Sequence, residues 1–181
     1  MAEQAFESTF VVSNLAPPFL DGTISAPIVK EADATSSPPK AASNMVIRTD
    51  RDWEIEVNWE VHGSLLDNPT SSSFPFTGEW LVKAFLESIG PGGEYELPRS
   101  GGVASGGVKV NVNTATGKSR NYKATIEVPA KLDTSGNVNK DSIPAGIYKL
   151  VVTVTNESSP GVPGPIAGFY ESGMLQIYEP E

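Results

Sequence analysis

The feature that most constrains the fold is an alternation that runs for ten residues from Trp53 to His62. Every second residue is apolar, and the residues between them are charged or carry other polar groups. The apolar members are Trp53, Ile55, Val57, Trp59 and Val61. A period of two places these side chains on one face of an extended chain and the polar ones on the other. The segment is therefore predicted to be an antiparallel strand with one face buried and one in water.

Further short segments have the same character. Alternation predicts strands over 45–48, 108–112, 122–128 and 148–154, and a last strand over 174–178 whose start could lie near Phe169. Short alternating strands separated by turn residues are typical of β-sandwiches and barrels. With 17 glycines and 15 prolines in 181 residues, the chain also has the turn formers that such a fold needs. The fold class is therefore predicted to be all-β.

Residues 79–89 admit two interpretations. Trp80, Leu81, Ala84, Phe85 and Ile89 would form a stripe on a helix, whereas a strand would bury Trp80 and Ala84 on one face and Phe85 on the other. The strands predicted on both sides favour a strand that is buried on both faces.

Residues 1–43 differ from the rest of the chain. They are rich in proline and in small polar residues, yet they also carry apolar residues at intervals. The prolines are Pro17, Pro18, Pro27, Pro38 and Pro39. Since each proline lacks a backbone donor and restrains the residue before it, little regular structure is expected here. We predict an extended N-terminal arm over 1–43 and a sandwich over 44–181.

One hairpin refines the fold prediction. Asp133-Thr-Ser-Gly136 is followed by Pro144-Ala-Gly-Ile-Tyr148-Lys-Leu150. This stretch resembles the late hairpin of bacterial immunoglobulin-like and fibronectin-like modules, where a D-x-x-G turn leads into P-A-G-x-Y-x-L-x-V. The resemblance implies an immunoglobulin-like antiparallel β-sandwich in which a tight turn delivers a buried Tyr148 onto a core strand. It implies no function, because such a fold supports many functions.

Charge and composition exclude several classes of partner. The net charge is −9 and the 13 lysines and arginines form no basic run, so nucleic acid is not an expected partner. No stretch approaches the roughly 18 apolar residues of a membrane span, so no membrane insertion is expected. The N-terminus lacks the basic and apolar regions of a Sec signal peptide, which predicts a cytoplasmic protein or part of an assembly made in the cytoplasm. The absence of cysteine excludes disulfides and thiolate chemistry.

A candidate calcium loop follows residue 132. Oxygen-bearing side chains occupy every second position at Asp133, Ser135, Asn137, Asn139 and Asp141. Ca²⁺ takes six to eight oxygen ligands, so this spacing suggests a metal site. However, the glycine falls two positions early for an EF-hand and no glutamate follows at the twelfth place. The same residue types close ordinary turns, which is the favoured interpretation, and no resident cofactor is expected.

Catalysis has little support in the sequence. His62 is the only histidine, and it lies beside glutamates on the polar side of its predicted strand. Glu54, Glu56 and Glu60 share that face and could serve a glycoside hydrolase as paired carboxylates. A row of carboxylates on the solvent face of a strand also discourages unwanted pairing. We therefore expect that the protein is not an enzyme.

The remaining candidates are residues for protein contacts. They are large apolar side chains in irregular segments, namely Phe6, Phe10, Phe19, Leu20, Phe74 and Phe76. The first hypothesis is a structural or interaction protein that contacts copies of itself or the subunits of a larger particle through its arm and loops. The alternative is a carbohydrate- or calcium-binding module that uses the loops at one end of the sandwich. A glycoside hydrolase is the third hypothesis.

Overall fold

Strands make up almost all of the regular structure in the computed structural model, which describes residues 4–5, 7–8, 20–33, 36–41, 45–67, 78–112 and 117–181. In chain order the strands are β1 (Gln4–Ala5), β2 (Glu7–Ser8), β3 (Asp21–Ile24), β4 (Ile28–Asp33), β5 (Ser36–Ala41), β6 (Val46–Arg48), β7 (Trp53–His62), β8 (Glu79–Ser88), β9 (Tyr95–Leu97), β10 (Arg99–Ser100), β11 (Val103–Ala104), β12 (Val108–Asn111), β13 (Ser119–Val128), β14 (Gly146–Ser159) and β15 (Val162–Tyr178). A 3-10 turn, Ser64–Asp67, follows β7. The all-β prediction is confirmed. In the described part of the chain, no helix has the length and apolar character that crossing a bilayer requires.

Sheet A is built around β7, the strand with the strongest alternation. Strand β13 pairs with β7 along its whole length, from Ser119 opposite His62 to Val128 opposite Trp53. The other edge of β7 is shared end to end by β3, opposite residues 59–62, and β4, opposite residues 53–56. All five apolar residues of the predicted alternation are buried, as a period of two requires.

Part of the predicted arm belongs to sheet A. Three strands, β3, β4 and β5, lie between residues 21 and 41, so the expectation of little regular structure is wrong for these residues. The prolines are tolerated because of where they lie. Pro27 falls in the break between β3 and β4, where Ser25 N–H still donates to Asn58 O at 3.0 Å. Pro38 and Pro39 lie on β5, the edge strand beyond β4, where a missing donor breaks the fewest ladder bonds.

Sheet B has the order β12-β8-β14-β15-β2, with β9 also paired to β8 and β6 paired parallel to β15. Residues 79–88 form a strand, so the strand interpretation of this ambiguous segment is confirmed. Its inner face, carrying Trp80, Val82, Ala84 and Leu86, is completely buried. Its outer face is half-buried, which corrects the expectation of full burial on both faces.

The inner faces of the two sheets share one core, an arrangement consistent with a β-sandwich. Its centre is a group of three aromatic rings. Trp59 of sheet A meets Trp80 of sheet B edge to face, with ring centroids 5.9 Å apart. Tyr122 stacks on Trp59 at 5.4 Å and contacts Trp80 at the same distance. Aromatic pairs of this kind add about 0.5–1.5 kcal/mol each beyond the area that they bury.

The segment that leads into β14 contains the closed turn and the buried tyrosine that its residues predict. Gly136 N–H donates to Asp133 O at 2.9 Å and closes the turn. Tyr148 is 2% exposed, and its hydroxyl donates to Pro144 O at 3.1 Å, which satisfies the polar end of a buried ring. Burial raises the pKa of the Tyr148 phenol, so the hydroxyl keeps its proton. The prediction of a buried Tyr148 is confirmed.

This packing makes a specific demand on Gly146. A Cβ at Gly146 would lie 2.9 Å from the Tyr148 hydroxyl oxygen and 3.0 Å from its ring. Gly146→Ala is therefore expected to lower the free energy of unfolding by about 1–3 kcal/mol, because the Tyr148 ring must move out of its packed position. Urea unfolding measures the loss. Gly173→Ala is the matched control, since a Cβ there meets nothing within 4 Å. Equal stability of the two variants would contradict this account of the turn.

Candidate functional site

The outer face of sheet A carries ion pairs around Glu56, which we call the charged face. Lys123 Nζ lies 2.6 Å from Glu56 Oε2, and Lys30 donates to the same oxygen. Asn58 Nδ2 donates to the other oxygen, Oε1, at 3.1 Å. The hydrogen bonds from Lys123 and Lys30 lower the pKa of Glu56 from 4.5 to about 2. Glu56 is only 8% exposed, so this carboxylate is held by its partners as an anion.

This arrangement bears on the hydrolase hypothesis. A glycosidase needs one carboxyl group whose pKa is raised, so that it can donate a proton to the leaving group. The pKa of Glu56 is shifted in the opposite direction. Glu60 accepts the hydroxyl of Ser119, and Glu54 lies 3.6 Å from Lys30 Nζ. These contacts favour a structural role for the three glutamates.

The outer face of sheet B has a different character. Leu81, Phe85, Val151 and Phe169 carry half-buried or exposed apolar side chains on adjacent strands, and we call these four residues the apolar band. The register places Phe85 opposite Val151, while Thr153 lies between Lys83 and Phe169. A shallow, mainly apolar groove of about 160 Å³ runs past Phe169.

The charges that border the apolar band are paired within the chain. Lys83 lies 2.7 Å from Glu96, Lys109 lies 2.8 Å from Glu79, and Lys149 lies 2.9 Å from Glu171. Glu87 and Glu157 share this face, so its three lysines stand against five glutamates. The face therefore combines apolar side chains with internal ion pairs and a small excess of negative charge.

The residues predicted as a calcium loop lie in the connection between β13 and β14. Asp133 Oδ1 accepts the backbone N–H groups of Ser135 and Asn137, both at 2.8 Å. These bonds lower the pKa of Asp133, and the bond from Asn137 N–H has the largest effect. Asn139 Oδ1 accepts Asp141 N–H at 3.0 Å, which is again a local turn contact. Among the described residues, no three His, Asp or Glu side chains converge as ligands for one ion. The calcium site stays a prediction.

Asp141 has a longer-range role. Its two carboxylate oxygens accept Gly102 N–H at 2.6 Å and Gly101 N–H at 3.2 Å. This pair of bonds joins the β10–β11 hairpin to the connection before β14. Together with the start of β7 and the end of β13, these segments enclose a cleft of about 490 Å³. We call it the loop-end cleft, and its polar lining consists of Asp52, Glu54, Arg99, Glu127 and Asp141.

The predicted contact residues are only partly described by the structure. Leu20 is 7% exposed and belongs to the core of its own chain, so its apolar side chain is already covered. Phe6, Phe10, Phe19, Phe74 and Phe76 lie outside the described residues. Short segments of the arm do add to sheet edges, since β1 pairs with β3 in sheet A and β2 pairs with β15 in sheet B.

The sequence predicts Phe85 on a second apolar face of its strand, but it identifies neither the apolar band as an exposed surface nor the loop-end cleft. A signal for the band was present, because Leu81, Phe85 and Val151 break the polar half of the alternation on β8 and β14. The cleft has no local signal. Its polar residues come from four segments that are distant in sequence.

Comparisons with known proteins give a limited result. No protein-family model matches the chain, and no curated protein matches it either. Among solved structures, one similar chain is described as the crystal structure of the C-terminal domain of wzt. The identity is 10% and the TM-score 0.47, over 88% of this chain and 75% of that one.

The charged face predicts a specific dependence of stability on pH. Because the pKa of Glu56 falls from 4.5 to about 2 on folding, its contribution is complete at neutral pH and disappears as the pH drops from about 5 toward 2. Glu56→Gln is therefore expected to cost about 1 kcal/mol at neutral pH and almost nothing at pH about 2. Urea unfolding across this range measures the difference. Glu60→Gln on the same face is the control, and a loss for Glu56→Gln that persists undiminished at low pH would refute the assignment.

Proposed function

We propose that this chain is a non-enzymatic interaction protein whose immunoglobulin-like sandwich associates with further copies of itself. The observation that carries the proposal is the contrast between the two outer faces. On the charged face, acidic and basic side chains meet water, whereas the apolar band presents Phe169 at 39% exposure, with Val151 on the neighbouring strand and Leu81 and Phe85 one strand further. Apolar side chains grouped on an exposed sheet face among polar groups are typical of a protein interface.

The order of the strands supports the immunoglobulin-like part of the proposal. Counting β3 and β4 as one interrupted first strand, sheet A contains the first, second and fifth major strands, namely β3/β4, β7 and β13. Sheet B contains the fourth, third, sixth and seventh in the order β12-β8-β14-β15. Immunoglobulin-like sandwiches likewise place the first, second and fifth strands on one sheet and the third, sixth and seventh on the other, with a buried tryptophan on the third strand, where Trp80 lies. The fourth strand, β12, departs from the seven-stranded pattern because it pairs with the third strand. They also carry a tyrosine near the start of the sixth strand that bonds to backbone upstream, as Tyr148 bonds to Pro144.

Charge favours a second copy as the occupant of the apolar band. Two chains with a net charge of −9 repel one another across most approaches. The four residues of the apolar band carry no charge, and the lysines around them are paired within the chain, so two copies can meet there without burying an unpaired lysine. A two-fold axis through the band would pack Phe169 of one copy on the sheet of the other and bury both grooves.

The arm offers a second contact of the same kind. Strands β1 and β2 add two residues each to an edge of sheet A and an edge of sheet B. Main-chain bonds of this type form equally well between chains, because edge strands expose their donors and acceptors to any extended segment. The arm of one copy can therefore occupy the edges of its neighbour and extend a dimer to a larger assembly.

Placing a charge on the apolar band tests the main contact. Phe169→Glu is expected to hold the protein as a monomer at concentrations where the parent chain forms dimers, because each copy would bury a carboxylate in the interface. Size-exclusion chromatography with light scattering over a concentration series gives the masses. Asn121→Glu adds the same charge on the exposed outer face of sheet A and should dimerise as the parent does. A parent chain that is monomeric throughout would exclude the proposal.

A truncation separates the arm from the band. A chain that begins at Leu20 keeps β3, β4 and β5 in sheet A, whereas removal of residues 1–43 would take all three away. If the arm links copies, the truncated chain should stop at the dimer while the full chain reaches higher masses. Identical mass distributions for the two chains would show that the arm makes no contact between copies.

A further inference from the structure

The loop-end cleft lies away from the apolar band and has the size of a small-molecule site. Its volume of about 490 Å³ falls in the range of roughly 300–1,000 Å³ that such sites occupy. Trp53, Val128 and Pro129 add apolar atoms to its polar lining. The cleft therefore offers both apolar contact and hydrogen-bonding groups to one ligand.

Arg99 is the donor in this lining. Its Nη2 donates to Gly102 O, and its guanidinium carbon lies 5.3 Å from the centroid of the Tyr95 ring. These two contacts fix the orientation of the guanidinium group. Its Nε–H is buried and makes no hydrogen bond within the protein. Among the described residues, no carboxylate lies within ion-pair distance of Arg99, so its guanidinium charge is not neutralised by an ion pair and is left for an acceptor on a ligand.

The acceptors in the lining are fixed as well. Asp52 Oδ1 accepts Ala130 N–H at 2.7 Å, and Asp141 is held by the two glycine amides of the β10–β11 hairpin. Glu54 and Glu127 lie directly opposite each other in the register of β7 and β13. Like charges at such positions disfavour one another, and a hydroxyl donor between them would relieve part of that cost.

The balance of groups decides the chemical class of the ligand. Four carboxylates against one guanidinium give the lining an excess of negative charge, so an anionic ligand would be repelled. A protonated amine could bind the carboxylates. However, it has no lone pair to accept a hydrogen bond from Arg99, and its positive charge would lie beside that of the guanidinium group. A hydroxyl group both donates and accepts, and a sugar ring carries several of them around an apolar C–H surface. We propose that the loop-end cleft binds a neutral saccharide.

The test uses the full chain and a panel of neutral sugars: glucose, galactose, mannose and N-acetylglucosamine. Saturation-transfer NMR detects binding, and amide chemical-shift titration locates it and gives the dissociation constant. At least one sugar is expected to shift the amides of residues 99–102, 127–130 and 141. Arg99→Lys keeps the positive charge but removes the planar guanidinium group, and it should weaken that sugar about ten- to a hundredfold, the loss of one hydrogen bond to a charged group.

Two further variants make the outcome decisive. Arg48→Lys applies the same change to an arginine that pairs with Asp50 away from the cleft, and it should bind as the parent does. Glu127→Ala changes an exposed residue of the lining, so it should fold normally and bind more weakly. The proposal is overturned if no sugar shifts the cleft amides, if Arg99→Lys binds as tightly as Arg48→Lys, or if ethanolamine or glucuronate binds better than every neutral sugar.

Discussion

The contact between Trp59 and Trp80 is the interaction on which the rest of the structure depends. Each tryptophan lies at the middle or start of a central strand, and the two rings meet edge to face between the sheets. Both side chains are at most 2% exposed, so their full surface contributes to the hydrophobic term that drives the sheets together. Tyr122 closes the group from the strand next to β7. Since a shift of either strand by one residue would turn its tryptophan outward, this contact also fixes the register of both sheets.

With the core fixed in this way, the two outer faces are free to differ. The alternation on β7 requires only that the side chains at 54, 56, 58, 60 and 62 be compatible with solvent. Lys30 on β4 and Lys123 on β13 form ion pairs with Glu56 in this row. On β8 and β14 the same outward positions hold Leu81, Phe85 and Val151, which gain nothing from exposure. The outer face of sheet A thus carries charged and polar side chains, whereas that of sheet B carries apolar side chains among its ion pairs. The proposed self-association depends on this difference between the two faces rather than on any single residue.

How far the sequence could predict this structure depends on the range of the interactions involved. The burial of Trp53 to Val61 followed from period two alone, because alternation acts between neighbours in one strand. The turn from Pro144 to Tyr148 was equally local. By contrast, the residues near Asp21 and Ile28 do not predict that β3 and β4 pair with the edge of β7. Pro27 interrupts the alternation of apolar residues there, and the pairing is long-range. For the same reason the sequence does not show that Leu20, a predicted contact residue, lies in the core, because only the tertiary fold places it there.

The loop-end cleft could not be predicted from the sequence. Its residues are nevertheless held firmly enough by the scaffold to form a ligand-binding site. Arg99, Asp52 and Asp141 are unremarkable in the sequence, and only the packing of the loops brings them together. Each is tied to a rigid part of the molecule: Arg99 rests on Tyr95, whose ring meets the buried Tyr148 at 6.0 Å, and Asp141 joins two loops through backbone amides. Asp52 is bonded to Ala130, beside the Lys131 N–H that reaches back to Thr49 O at 2.7 Å. Groups fixed in this way lose little conformational entropy when a ligand binds, so a cleft made from loops can still be preorganised.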